Sequence, residues 1–200
     1  LVLGEEYGAL HYYRNVGTRS QPNFEKIVGE ASPFDGIDVG SYSAPAFADL
    51  DGNGLLDLVV GERETTLRFY RNVGTSSRPE FKKIDENPFD GIGRIIGNPT
   101  LADLDGDGDL DLAVGASRGM LRYWRNVGTA SQPNFTKVEE EESPFASINV
   151  GAENVPAFVD LDNDGLLDLV IGVGGEPGDY PDSGKIFYYR NVGTLSQPIL

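Results

Sequence analysis

The sequence predicts an all-β protein built from repeated four-stranded units, and three observations predict it. Glycine and proline number 26 and 12 in 200 residues, spread so that no long window is left for a helix. The pentapeptide Arg-Asn-Val-Gly-Thr occurs four times, at residues 14–18, 71–75, 125–129 and 190–194, with starts 57, 54 and 65 residues apart. Between these copies an acidic nonapeptide occurs three times, beginning at Asp49, Asp103 and Asp160, with a Pro-Phe pair ahead of each one (Phe34, Phe89, Phe145). Self-similarity at a regular spacing marks a repeat architecture, so a unit of about 55 residues can be read once for all.

Along that unit, Pro45-Ala46-Phe47-Ala48 is a short β-like run leading into the acidic loop. Leu58-Val59-Val60 follows as a buried-type apolar strand. After a turn at residues 62–65, Leu67-Arg68-Phe69-Tyr70-Arg71 alternates apolar and charged residues, as a half-covered strand does. Asn72-Val73-Gly74-Thr75 is the next turn, and Pro79-Glu80-Phe81-Lys82-Lys83 opens on a proline that suits an edge strand. Four short antiparallel strands at a regular period describe a β-propeller blade better than a sandwich. The expected division is a partial blade over 1–29 holding the last three strands of a unit, then blades over 45–83, 98–138 and 155–200. That makes about three and a half blades in one propeller segment, whose closure is expected from a longer chain or from further copies.

The charge balance excludes whole classes of partner. Sixteen Lys and Arg against 32 Asp and Glu leave a net charge of −16, which repels a nucleic acid backbone or an anionic membrane surface. No apolar run approaches the ~18 residues of a membrane span. Cysteine is absent, which removes disulfides, thiolate metal ligands and thiol nucleophiles. The chain opens at Leu1-Val2-Leu3 without an initiator Met or a basic segment, so any signal peptide is expected to lie outside these residues.

The acidic loops carry the chemistry. They read Asp49-Leu50-Asp51-Gly52-Asn53-Gly54-Leu55-Leu56-Asp57, Asp103-Leu104-Asp105-Gly106-Asp107-Gly108-Asp109-Leu110-Asp111 and Asp160-Leu161-Asp162-Asn163-Asp164-Gly165-Leu166-Leu167-Asp168. Oxygen-bearing side chains stand at loop positions one, three, five and nine, with glycine at six. A hard cation such as Ca²⁺ takes six to eight oxygens at ~2.3–2.6 Å, and alternate residues of a tight loop converge on it where glycine permits the turn. Position seven, held by Leu55, Asp109 and Leu166, is read as a backbone carbonyl ligand. An EF-hand needs a bidentate Glu at position twelve, and Val60, Val114 and Ile171 stand there inside apolar strands. Hairpin formation alone needs fewer acids than these loops carry, and crowding them costs repulsion that a cation offsets. The loops therefore predict three Ca²⁺ ions, one each, with a mainly structural role.

The pattern Asp-x-Asp-x-Asp-Gly-x-x-Asp between two strands, in units that carry Arg-Asn-Val-Gly-Thr, resembles the FG-GAP or VCBS-type repeats of integrin α-subunit propellers and of many secreted proteins. The resemblance covers essentially the whole chain, and Asn53 is a departure that keeps an oxygen. It implies a propeller, extracellular or cell-surface placement, and a role in adhesion or recognition of a protein or glycan, sometimes lectin-like, without implying one activity. A lectin that binds carbohydrate between blades and an accessory propeller of a larger secreted enzyme are the two alternatives.

No catalytic set is expected. A Ser-His-Asp arrangement would depend on His11, which aligns with Arg68, Arg122 and Phe187 and reads as a solvent-facing position. Paired acids suited to glycoside hydrolysis are all absorbed by the loops, residues 139–142 read as a solvated acidic segment, and Gly172-Val173-Gly174-Gly175 lacks the helix and lysine of a phosphate loop. Trp124 and Tyr12, Tyr13, Tyr70, Tyr123, Tyr188 and Tyr189 read mostly as packing aromatics. What every unit carries builds the unit, and what one unit alone carries is the better candidate for recognition. The last unit inserts eight residues between Gly172 and Lys185, in the stretch 173–184, so Glu176, Asp179, Tyr180 and Asp182 are the candidate ligand contacts.

Overall fold

A computed structural model describes residues 1–62, 66–95, 97–116, 119–151, 153–174 and 184–200. Among them the regular structure is almost entirely antiparallel β, in four sheets that follow one another along the chain. The first holds β1 (Val2–Gly4), β2 (Leu10–Asn15) and β3 (Phe24–Ile27). The second holds β4 (Ala44–Ala48), β5 (Asp57–Gly61), β6 (Arg68–Asn72) and β7 (Phe81–Lys83). The third repeats it with β8 (Asn98–Ala102), β9 (Asp111–Gly115), β10 (Leu121–Asn126) and β11 (Phe135–Lys137). The last holds β12 (Asn154–Val159), β13 (Asp168–Val173) and β14 (Lys185–Tyr189). Each is a meander in which sequence neighbours pair, the up-and-down order of a propeller blade. The outer strand of the second sheet begins at Phe81, two residues later than its leading proline suggests, because the Val73 N–H bonds Glu80 O before the ladder proper begins.

The sheets stack through their inner strands, β1 on β4, β4 on β8 and β8 on β12, and do not close into a ring. Three apolar clusters fill the gaps between successive sheets. The Pro-Phe segments that connect the units supply a plug to each. Phe34 stacks on Phe81 with ring centroids 5.1 Å apart, Phe89 stacks on Phe135 at 5.0 Å, and Phe145 meets Phe158 at 5.6 Å. Such pairs add about 0.5–1.5 kcal/mol beyond the area they bury. Stacking also explains the glycines that end β1, β5 and β9. A Cβ on Gly4, Gly61 or Gly115 would collide with the carbonyl of Ser43, Gly97 or Asn154 at the start of the next inner strand. Residues 140–142 form one turn of 3₁₀ helix with every residue exposed. No helix among the described residues is long and apolar enough to cross a membrane.

Candidate metal centre

All three acidic loops join the first two complete strands of their sheets in one register. The last residue of the inner strand faces the ninth loop residue: Ala48 opposite Asp57, Ala102 opposite Asp111, Val159 opposite Asp168. The loop between folds onto its first aspartate. Asp49 Oδ1 accepts the N–H of Gly52 at 2.8 Å and Oδ2 that of Gly54 at 2.8 Å. Asp103 does the same with Gly106 and Gly108, at 2.7 and 3.0 Å. Asp160 accepts from Asp164 and Gly165, at 3.1 and 3.0 Å. That wrap needs left-handed backbone twice, at position six (Gly54, Gly108 and Gly165, φ 82°, 94° and 89°) and at position four (Gly52, Gly106 and Asn163, φ 72°, 77° and 61°). Only Gly, and less often Asn, adopts this conformation without steric cost. The requirement at position four was readable in the sequence, since only Gly and Asn occur there.

The fold brings three acids of each loop together. Carboxylate oxygens of Asp49, Asp51 and Asp57 lie within 4.8 Å of one another, as do those of Asp103, Asp105 and Asp107, and of Asp160, Asp162 and Asp164. Oxygens around one Ca²⁺ at ~2.3–2.6 Å lie no more than about 5 Å apart, so the spacing and the all-oxygen donor set fit a hard cation. Asn53 holds position five of the first loop, its Oδ1 accepting the Leu55 N–H at 2.7 Å.

The ninth aspartate also does other work, and in the first loop Asp57 does both. Asp57, Asp111 and Asp168 are fully buried and clamp the loop onto the third strand of the sheet. Asp111 Oδ1 accepts the N–H of Asn126 at 2.8 Å, while Oδ2 accepts that of Leu104 at 3.1 Å and the hydroxyl of Tyr123 at 2.9 Å. Asp168 repeats the set with Asn191, Leu161 and Tyr188. Asp57 repeats its backbone part with Asn72 and Leu50. In the three units that carry a loop, the asparagine of Arg-Asn-Val-Gly-Thr (Asn72, Asn126, Asn191) is buried in turn, whereas Asn15 is exposed. The asparagine Oδ1 closes the following turn by accepting two N–H groups, those of Gly128 and Asn134 in the third sheet. The repeated pentapeptide is thus half of a clamp whose other half is the ninth loop aspartate.

Its arginine answers the third loop position. Arg125 Nε lies 3.0 Å from Asp105 Oδ2, Arg190 pairs with Asp162 and Asp164, and Arg71 Nε lies 3.0 Å from Asp51 Oδ2 at an angle too bent for a hydrogen bond. Burial pushes the Asp57 carboxyl up against the N–H groups of Asn72 and Leu50, with Asp51 and Asp49 adding to the rise. Burial pushes Asp111 up to about 6 despite its three donors. At Asp168 burial also acts upward, but the donors and the charge of Arg190 outweigh it and hold the carboxyl below the usual range.

Elsewhere, His11 is half-buried, not solvent-facing, with Nε2 3.0 Å from Glu5 Oε2. Of the expected packing aromatics, Tyr70, Tyr123 and Trp124 are buried and Tyr12, Tyr13 and Tyr189 half-buried, while Tyr188 is exposed. Glu176, Asp179, Tyr180 and Asp182 lie outside the described residues.

The FG-GAP-like repeat family matches residues 49–114 and 103–171, and the FG-GAP repeat family matches residues 154–189. Integrin alpha-4 of Xenopus laevis is 27% identical over 154 residues, which cover 68% of this chain and 15% of the integrin. The chain therefore spans a small fraction of the length of that relative.

Proposed function

The chain belongs to the FG-GAP-like repeat family, and from that premise we propose that it is a calcium-binding β-propeller module serving recognition or adhesion at an extracellular surface, without enzymatic activity of its own. The observation that carries the proposal is the threefold convergence of loop carboxylates within 4.8 Å on an identical strand register. Side chains at positions one, three and five and the carbonyl at position seven would hold each ion. Asp111 and Asp168 would stand behind them, fixing the loop and offering their remaining lone pairs, and Asp57 would join Asp49 and Asp51 directly. Bound calcium supplies charge neutralisation and cross-linking here, not a reactive centre. Twelve acids lie in the loops, and three divalent ions would take the net charge from −16 to about −10.

The loop ties two strands of its own sheet and also meets the next one. A Cβ on Gly52 would come within 3.0 Å of Ser131, and one on Gly106 within 2.9 Å of Leu195, both in the turn that follows the pentapeptide of the following sheet. An ordered loop is therefore part of the packing between blades, and further blades, from a longer chain or from further copies, would complete the ring. We also propose the division into a partial blade over 1–29 and blades over 45–83, 98–138 and 155–200, with the insertion at 173–184 as the ligand-binding loop.

Thermal melting with millimolar calcium against excess chelator tests the reading. A ligand at a hundred times its Kd, bound to the folded state alone, stabilises by about 2.7 kcal/mol per site, so chelation lowers the melting temperature. Identical melting curves would overturn the calcium assignment. Calorimetric titration tests placement: affinities of ~10⁻⁴–10⁻³ M suit a calcium-rich exterior, and submicromolar binding would point to a cytosolic role instead.

A further inference from the structure

We propose that Asn134 is a site of N-linked glycosylation. Asn134-Phe135-Thr136 is an Asn-x-Thr acceptor sequence, the only one available among the twelve asparagines, because Asn98-Pro99-Thr100 carries the proline that bars transfer. The three equivalent positions in the other units read Asn23-Phe24-Glu25, Glu80-Phe81-Lys82 and Ile199-Leu200, so the acceptor belongs to one unit alone and is not part of what builds the repeat.

The structure puts this tripeptide where a glycan can be carried. Asn134 leads directly into β11, an edge strand of its sheet, so one side of the strand has no partner strand. Phe135 points inward, buried and stacked on Phe89, and alternation along the strand turns Asn134 and Thr136 outward together. Both are exposed, and among the described residues neither side chain makes a hydrogen bond or ion pair. The Asn134 backbone, by contrast, is held at both ends: its N–H donates to Asn126 Oδ1 at 2.9 Å and its carbonyl accepts the Val127 N–H at 2.9 Å. Across the strand pair Thr136 faces Arg125, whose side chain is itself half exposed, so the outward face around the acceptor is open. A sugar attached there extends from the rim and displaces nothing in the core.

The transfer joins Asn134 Nδ2 to C1 of the first sugar of a lipid-pyrophosphate-linked oligosaccharide. The bond from C1 to the pyrophosphate oxygen breaks, the amide gives up one proton, and the lipid pyrophosphate departs, with no change of oxidation state. The proposal rests on the extracellular reading only in that the chain must meet this donor in a secretory compartment.

The test supplies that compartment itself, so its failure is distinct from failure of the extracellular reading. The chain is expressed behind a cleavable leader in cultured animal cells, and lysate and medium are read together. The expected result is a mass increase removed by an amidase specific for N-glycans, with Asn134 converted to Asp. Asn134→Gln and Thr136→Ala abolish the increase, and Thr136→Ser retains it. The glycosylated and enzymatically stripped proteins should melt within about 2 °C of each other, as expected of a surface change. A wild-type chain that crosses into the compartment and carries no sugar would overturn the proposal, as would a glycosylated chain that fails to fold.

Discussion

The third sheet and the last carry the same clamp and differ in their surroundings. Leu121 and Tyr123 on β10 are 7% and 3% exposed, whereas the aligned Ile186 and Tyr188 on β14 are 80% and 49% exposed. Leu104 and Leu161, at position two of their loops, differ in the same direction. A Cβ on Gly115 would collide with the carbonyl of Asn154, while one on the equivalent Gly172 would meet no atom nearer than 4.0 Å. The hydrogen bonds on Asp111 and Asp168 nonetheless match donor for donor. A blade makes its own polar framework, and its neighbour makes it dry. The opposite pKa directions of the two aspartates follow, since desolvation dominates where a further sheet covers the clamp and the donors dominate where none does.

Truncating the clamp should separate the two sheets most. In chelator, to keep metal out of the comparison, Asp111→Ala leaves the N–H groups of Leu104 and Asn126 and the Tyr123 hydroxyl without their acceptor in a covered site, and should cost about 4 kcal/mol. Asp168→Ala orphans the same donors, but two of the residues that carry them, Tyr188 and Leu161, are exposed, so water reaches the vacated site and the cost should be about half as much. Denaturant unfolding of both variants measures the gap, and equal losses would erase the distinction drawn between the sheets.

A smaller and oppositely signed pair of effects concerns pH. Asp111, raised to about 6, holds its proton more tightly folded than unfolded, so its contribution is complete below the ordinary value of 3.8 and is lost as pH rises through about 6. The swing amounts to about 3 kcal/mol at roughly 1.4 kcal/mol per pKa unit. Asp168 runs the other way: its contribution is present above 3.8 and is lost as pH falls through its lower folded value. In chelator, comparing the stability profiles of wild type, Asp111→Asn and Asp168→Asn between about pH 2 and 7 isolates each group, Asp111 above 3.8 and Asp168 below it. A profile unaltered by Asp111→Asn would contradict the desolvation account.

The weakest contrast is apolar. Leu121→Ala should cost about 2 kcal/mol because it opens a cavity between two sheets, and Ile186→Ala should fall within about 0.5 kcal/mol because the side chain is already in water. A cost for Ile186→Ala matching that for Leu121→Ala would show that something covers β14 in solution.

The loops were legible because their chemistry is local: Asp103, Asp105 and Asp107 converge through the turn that Gly106 and Gly108 permit, and nine residues suffice to say so. The blade strands were legible for the same reason, since hairpins pair sequence neighbours. The role of Asp111 was not. In the sequence it is one more oxygen of the loop, and only the arrival of Asn126 and Tyr123 on the third strand makes it a buried clamp. Arginine pairing with a carboxylate was foreseeable, but its address, the third loop position, was not.

By itself the sequence determined the period, the blade and the acidic turns, because each depends on contacts a few residues apart and repeats with them. Tertiary structure alone decided which aspartate gathers with others and which anchors a strand, which tyrosine is dry, and which way each carboxyl shifts. Those outcomes depend on how many protein atoms replace water around a group, and identical letters in adjacent units meet different answers.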